Sequence, residues 1–174
     1  ELSLLLRYQP PYAWPGMIEF LSHRAIPFVE LVRDGAYSRT LSLDGVEGTV
    51  SVRPAPGNVN ALCARIRISK LEALPSVIAR LRRVFDLAAD PRAIAAHLAE
   101  DPVLAPLIAK RPGLRVPGGW DGFELSIRAV LGQQISVTSA VRLAARLVAT
   151  YGRPRKAPEP GLPHCFPKPA VPAT

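Results

Sequence analysis

The sequence predicts an α+β fold, in which an antiparallel sheet with two helices occupies residues 1–89 and an all-helical, partial domain follows over 90–156. Two observations predict it. Between Leu2 and Ile68, apolar residues alternate with polar ones in short runs separated by Asp-Gly and Pro/Gly turn signals. From Asp90 onward that alternation stops, and apolar residues recur three and four apart behind capping residues instead.

The elements follow in order. Leu2–Tyr8 alternates as a strand before the breaker Gln9-Pro10-Pro11. Met17, Ile18, Phe20 and Leu21 have helical spacing between Trp14 and Arg24, and Pro15 suits a first turn. Phe28–Val32, Ala36–Leu43, Gly48–Arg53 and Asn60–Ile68 read as four more strands, with hairpin turns at Asp34-Gly35 and Asp44-Gly45. Leu71, Leu74, Ile78, Leu81 and Phe85 define a second helix, firm after Pro75, that covers one face of the sheet. Asp90-Pro91 and Asp101-Pro102 each set a capping carboxylate before a helix-opening proline, so two short helices are expected. After the connector Arg111–Gly119, Asp121 and Glu124 form a capping box ahead of Phe123, Ile127, Val130 and Leu131, and Gly132 ends that helix. Ser136 caps the next, whose Ala140, Leu143, Leu147 and Tyr151 share a face until Gly152-Arg153-Pro154. Residues 157–174 are proline-rich without periodicity and are expected to form a loose tail.

With 174 residues, 48% hydrophobic and 21% charged, the chain is not a disordered tail, a collagen-like rod or a disulfide-stapled toxin. Leu2–Leu6 is too short for a membrane span, and no membrane partner is expected. Cys63 and Cys165 lie far apart in sequence, and His23, His97 and His164 show no ligand spacing, so neither a metal nor another cofactor is expected and a reducing cytoplasm fits. The net charge is +8, and it is uneven. Residues 1–90 carry 11 basic and 9 acidic side chains, whereas 111–156 carry 8 and 2. That balance favours a polyanionic partner, with nucleic acid the leading candidate.

Two adjacent stretches carry a sharper signal. Arg111-Pro112-Gly113-Leu114-Arg115-Val116-Pro117-Gly118 leads to Asp121-Gly122-Phe123-Glu124, and then to Ile127-Arg128-Ala129-Val130-Leu131-Gly132-Gln133-Gln134-Ile135-Ser136. Together they resemble the opening of the glycosylase domain in the DNA-3-methyladenine glycosylase II (AlkA-type) family of the helix-hairpin-helix superfamily. Gln9-Pro10-Pro11-Tyr12-Ala13-Trp14 and Phe85-Asp86-Leu87 resemble that family's N-terminal domain, so the resemblance covers roughly residues 7–152.

The resemblance implies a base-excision repair enzyme in a bacterial-type cytoplasm, flipping alkylated bases from double-stranded DNA and hydrolysing the N-glycosidic bond. It places Gln134 at the wedge that enters the vacated stack. Phe20 and Gln133 then border the base pocket, where an aromatic face attracts a cationic purine. By residue type alone, Phe20 fits plain core packing equally well, and the glutamines fit the exposed ends of two helices. Arg128, Arg142 and Arg146 are candidate phosphate contacts or a solvated helix face.

The family's glycine hairpin and catalytic aspartate have no counterpart before Thr174, and Glu159 is the only acidic residue after position 125. The chain as given is therefore expected to be C-terminally truncated and catalytically inactive, with no catalytic residue of its own. The helix face over 137–151 would then lie uncovered and promote self-association. The resemblance also admits a regulatory region fused before Glu1. The alternative function is a non-catalytic DNA-binding or regulatory module.

Overall fold

The computed structural model describes residues 1–57 and 59–169. Strands β1 (Leu2–Arg7), β2 (Glu30–Arg33), β3 (Ala36–Leu43), β4 (Val46–Pro54) and β5 (Ala61–Ile68) form one sheet in the order β1-β5-β4-β3-β2. Every neighbouring pair is antiparallel. Asp34-Gly35 and Asp44-Gly45 make the two tight hairpins, with φ of 51° and 69° in the first and 45° and 83° in the second. Two consecutive positive φ values match the twist of the flanking strands, which is why Asp-Gly predicts these turns correctly. Helix α1 (Trp14–Arg24) joins β1 to β2 at opposite edges, so it must cross the sheet.

The two-residue period sorts the side chains. Leu6, Tyr37, Leu41, Val50, Val52, Leu62, Ala64 and Ile66 point to one face. There they meet Met17 and Leu21 of α1 and Val77, Leu81 and Val84 of helix α2 (Leu74–Val84). Each such aliphatic side chain contributes roughly 1.5–3 kcal/mol on burial. Helix α2 starts behind a single 3-10 turn at Leu71–Ala73, with Pro75 in its first turn, close to the predicted onset. Gly48 lets β4 and β5 close together, since a Cβ there would lie 2.0 Å from the Arg67 carbonyl oxygen.

Beyond the sheet run α3 (Pro91–Leu98), α4 (Ala105–Lys110), α5 (Gly122–Leu131) and α6 (Val137–Tyr151). Asp90 caps α3 by accepting from the amides of Arg92 and Ala93 at 3.0 and 3.2 Å. Asp121 caps α5 by accepting from the Glu124 amide at 2.8 Å. The other half of that capping box does not form, because the Glu124 carboxylate is engaged elsewhere.

Two expectations fail after Tyr151. The segment past Asp90 is not all helical, and residues 157–165 are not a loose tail. Strands β6 (Arg153–Glu159) and β7 (Leu162–Cys165) form an antiparallel hairpin turning through Gly161 at φ 83°. The hairpin lies on the face of the sheet opposite α1 and α2. Glu159 accepts from the Thr49 hydroxyl at 2.5 Å, Arg153 pairs with Glu47 at 3.0 Å, and the Cys165 thiol faces the Leu41 carbonyl at 3.5 Å. Leu162 and Cys165, at the two ends of β7, are themselves buried. Prolines at 154, 158, 160 and 163 concealed the strands, since a two-stranded hairpin has free edges that tolerate them. Residues 170–174 of the expected tail lie outside the described residues.

Helix α6 buries Ala144 and Val148 against Ile26 and Val29. The neighbouring face is only partly covered: Ala140 and Leu147 are half-buried, while Leu143 is 39% and Tyr151 51% exposed.

Candidate nucleic-acid interface

Glu30 on β2 and Arg39 on β3 are register partners on the inward face of the sheet, where a charge is expensive to bury alone. Helix α5 supplies the missing partners. Arg39 pairs with Glu124 at 2.6 Å and lies 3.6 Å from Glu30. Arg128, one turn along from Glu124, contacts it at 2.7 Å, pairs with Glu30, and donates to the Arg24 carbonyl at 2.9 Å. Two carboxylates and two guanidiniums thus form a neutral tetrad joining the sheet to α5 and the end of α1. The Tyr37 hydroxyl and the Ile26 amide both donate to Glu30. Burial, reinforced by Glu30, raises the Tyr37 phenol well above its usual pKa, so it stays a neutral donor. Burial alone would push the Glu124 carboxyl up, but Arg39 and Arg128 outweigh it and hold its pKa down to about 2.

This geometry corrects the role expected of Arg128. Its guanidinium is committed to two carboxylates and a carbonyl, and it is not free for a phosphate. Arg142 and Arg146, one turn apart on α6, are exposed and have no ion pair among the described residues.

The tetrad holds α5 beside α1, and the two helices flank a cleft of about 340 Å³. Phe20, Arg24, Trp120, Leu125 and Ala129 line it. Its size falls within the usual range of small-molecule sites, roughly 300–1,000 Å³. Phe20 is 37% exposed, and the Arg24 guanidinium carbon sits 3.9 Å from its ring centroid. A cation already occupies the ring face in this state. Trp120 packs under Arg39, with 4.4 Å between the guanidinium carbon and the ring.

At the end of α5 the chain turns sharply. Gln133 donates its amide to the Val130 carbonyl at 3.3 Å, Gln134 adopts φ 59°, and Ser136 caps α6 by accepting from the Ser139 amide at 3.2 Å. Both glutamines are exposed, flanked by Val130, Ile135 and Val137 at 65, 42 and 44% exposure. A smaller hollow of about 190 Å³ beside the turn is lined by Arg24, Arg128, Gly132 and Ile135. Phe20 reaches the larger cleft, while Gln133 and Gln134 line neither. A left-handed glutamine is unusual enough to mark the turn, since the conformation costs an L-residue about 1–2 kcal/mol.

Sequence reasoning missed Trp120, Arg24 and the tetrad. Trp120 could have been suspected, because a tryptophan stands directly between Gly118-Gly119 and the Asp121 cap. The tetrad leaves no linear signal, since Glu30 and Arg39 meet Glu124 and Arg128 only through the fold.

A family model described as the AlkA N-terminal domain matches residues 3–121. The chain belongs to that family. It is 43% identical over 166 residues to the Mycobacterium tuberculosis protein named probable bifunctional transcriptional activator/DNA repair enzyme AlkA, covering 95% of this chain and 33% of that protein. It is 38% identical over 149 residues to Escherichia coli DNA-3-methyladenine glycosylase 2, covering 84% of this chain and 50% of that protein. The AlkA-family chain therefore spans a third to a half of these curated relatives. Among solved structures, a 3-methyladenine DNA-glycosylase from Archaeoglobus fulgidus shares the fold with a TM-score of 0.75 at 22% identity, over 96% of this chain and 56% of that one. An MBOgg1 structure in complex with a DNA ligand aligns with a TM-score of 0.67 at 21% identity, over 97% of this chain and 53% of that one. No helix among the described residues is long and apolar enough to cross a membrane.

Proposed function

We propose that this chain is the DNA-engaging part of a DNA-3-methyladenine glycosylase. Its α5–α6 turn enters duplex DNA at an alkylated base, and the cleft beside Phe20 receives the flipped base. The observation that carries this reading is Gln134, exposed and left-handed between two capped helices, on the turn that ends the helix lining the Phe20 cleft. Extruding a base costs a few kcal/mol of stacking and pairing, so the protruding group needs a rigid base, which the tetrad provides.

In this reading Gln134 fills the space left in the stack and Gln133, beside it on the turn, steadies the orphaned strand. Arg142 and Arg146 hold phosphates. Arg24 swings off the Phe20 ring when a cationic methylated purine takes its place, exchanging one cation–π contact for another. The two carboxylates that line the cleft, Glu30 and Glu124, are both tied up in the tetrad, so neither is available to stabilise an oxocarbenium-like sugar.

The test uses alkylated duplex DNA and measures release of 3-methyladenine. The chain by itself is expected to release none. A hybrid in which residues 7–152 replace the matching stretch of the Escherichia coli relative is expected to release it. A folded hybrid without activity, or activity from the chain alone, would overturn the proposal.

A further inference from the structure

The near balance of charge in residues 1–90 conceals a strong segregation in space. On β1, β4 and β5 the inward positions are taken by Leu6, Val52, Ala64 and Ile66, so Arg7, Arg53, Arg65 and Arg67 project from the opposite face. All four are exposed. Arg53 stands directly across from Cys63, and Arg65 is two residues further along β5 on the same face. Arg7 stands across from Ala61, two residues to the other side of Cys63. Arg7, Arg53 and Arg65 therefore form a triangle around Cys63, each within a diagonal cross-strand step of about 7–8 Å from the centre.

The carboxylates nearest the triangle, Glu1 and Glu159, share a hollow with Arg65 but are both paired with Arg67. The other outward positions of these strands near the triangle are Ser3, Leu5, Ser51 and Ala61. Arg67 is paired with Glu1 at 2.9 Å and Glu159 at 3.4 Å, and Glu47 is taken by Arg153 at 3.0 Å. Arg7, Arg53 and Arg65 have no ion pair among the described residues. The β6–β7 hairpin covers the β3–β4 side of this face and leaves the triangle open.

We propose that this outward sheet face is a second DNA-binding surface that takes the phosphodiester backbone of undamaged duplex. A shallow array of unpaired guanidiniums interspersed with serine hydroxyls offers donors at repeated intervals, which suits an extended polyanion better than a single enclosed anion. The face is separate from the α5–α6 turn, because α5 is joined to the inward side of the sheet through Arg39. A duplex engaged at Gln134 does not cover the triangle, so the chain can hold one stretch of DNA while the turn samples another. The inference shares with the proposed function only the nature of the ligand, and one experiment separates the two.

Fluorescence anisotropy of an undamaged 20-base-pair duplex is followed across a salt series with four proteins: the parent, R53E/R65E, R142E/R146E, and R92E/K110E. Arg92 and Lys110 are exposed and distant in sequence from both surfaces, and their reversal alters net charge by the same amount. R53E/R65E is expected to weaken binding about tenfold or more at low salt and to flatten the slope of log affinity against log salt by about 2. R92E/K110E is expected to stay near the parent. If R53E/R65E behaves as R92E/K110E does while R142E/R146E abolishes binding, the sheet-face site is wrong and the proposed function stands. If the parent shows no salt-dependent duplex binding, both fail. If R53E/R65E keeps duplex binding but loses affinity for polyglutamate, the face serves an acidic protein and the inference is overturned.

Discussion

Glutamine at position 124 is the most informative single change, because it keeps the volume of the glutamate and removes one of the two carboxylates balancing Arg39 and Arg128. Arg39 would retain only Glu30 at 3.6 Å, with its own side chain 3% exposed and beyond the help of water. Leaving a buried charge uncompensated costs about 3–5 kcal/mol. The carboxyl's own titration should report the same coupling. Desolvation raises the Glu124 carboxyl, but the two arginines bring it to about 2 from 4.5. For a chain of this size, 1 kcal/mol shifts Tm by about 2–4 °C, so E124Q is expected to melt roughly 10 °C below the parent at pH 7. Because the folded pKa is depressed, the stabilisation is complete above the unfolded value near 4.5 and disappears as pH falls towards about 2. The gap between parent and variant in thermal melts followed by circular dichroism should close across that window. Replacing both partners, as in R39M/E124L, should cost less than E124Q alone, since no unpaired charge is left behind between them. A gap below about 1 kcal/mol at pH 7, or one that stays constant from pH 4.5 to 2, would refute the reasoning.

Other changes probe the frame around the site. Arg115 donates to the carbonyls of Gln9, Pro11, Asp86 and Ala89, clasping the connector to the sheet domain, and R115A should cost about 3 kcal/mol in denaturant unfolding. G48A should cost more than an ordinary surface change, since its methyl would meet the Arg67 carbonyl at 2.0 Å, and unfolding midpoints report the loss directly. Q134G relieves a left-handed residue and should leave the chain equally or slightly more stable, by up to about 1 kcal/mol, while weakening base extrusion in the hybrid enzyme.

How much of this was legible in the sequence depends on the range of the forces involved. Strand alternation, the Asp-Gly turns and the Asp90, Asp121 and Ser136 caps are local preferences, and they reappear in the structure near the expected residues. The hairpin at 153–165 escaped because its prolines suppress the strand signal, and its order comes from contacts with Ser42, Glu47 and Thr49 more than a hundred residues earlier. Arg128 was misread for a related reason. On a bare helix it looks like a solvated cation one turn from Glu124, and only the Glu30–Arg39 register places both in the interior. The exposed arginine triangle was invisible to a linear charge count, because segregation by strand period conserves the total.

Base extrusion by the α5–α6 turn can be read most directly from 2-aminopurine emission in a duplex bound by the hybrid enzyme, compared with the same hybrid carrying Gln134→Ala. The expected result is a strong rise in emission with the hybrid and little or none with the variant at saturating protein. Equal emission from both would contradict the role assigned to Gln134.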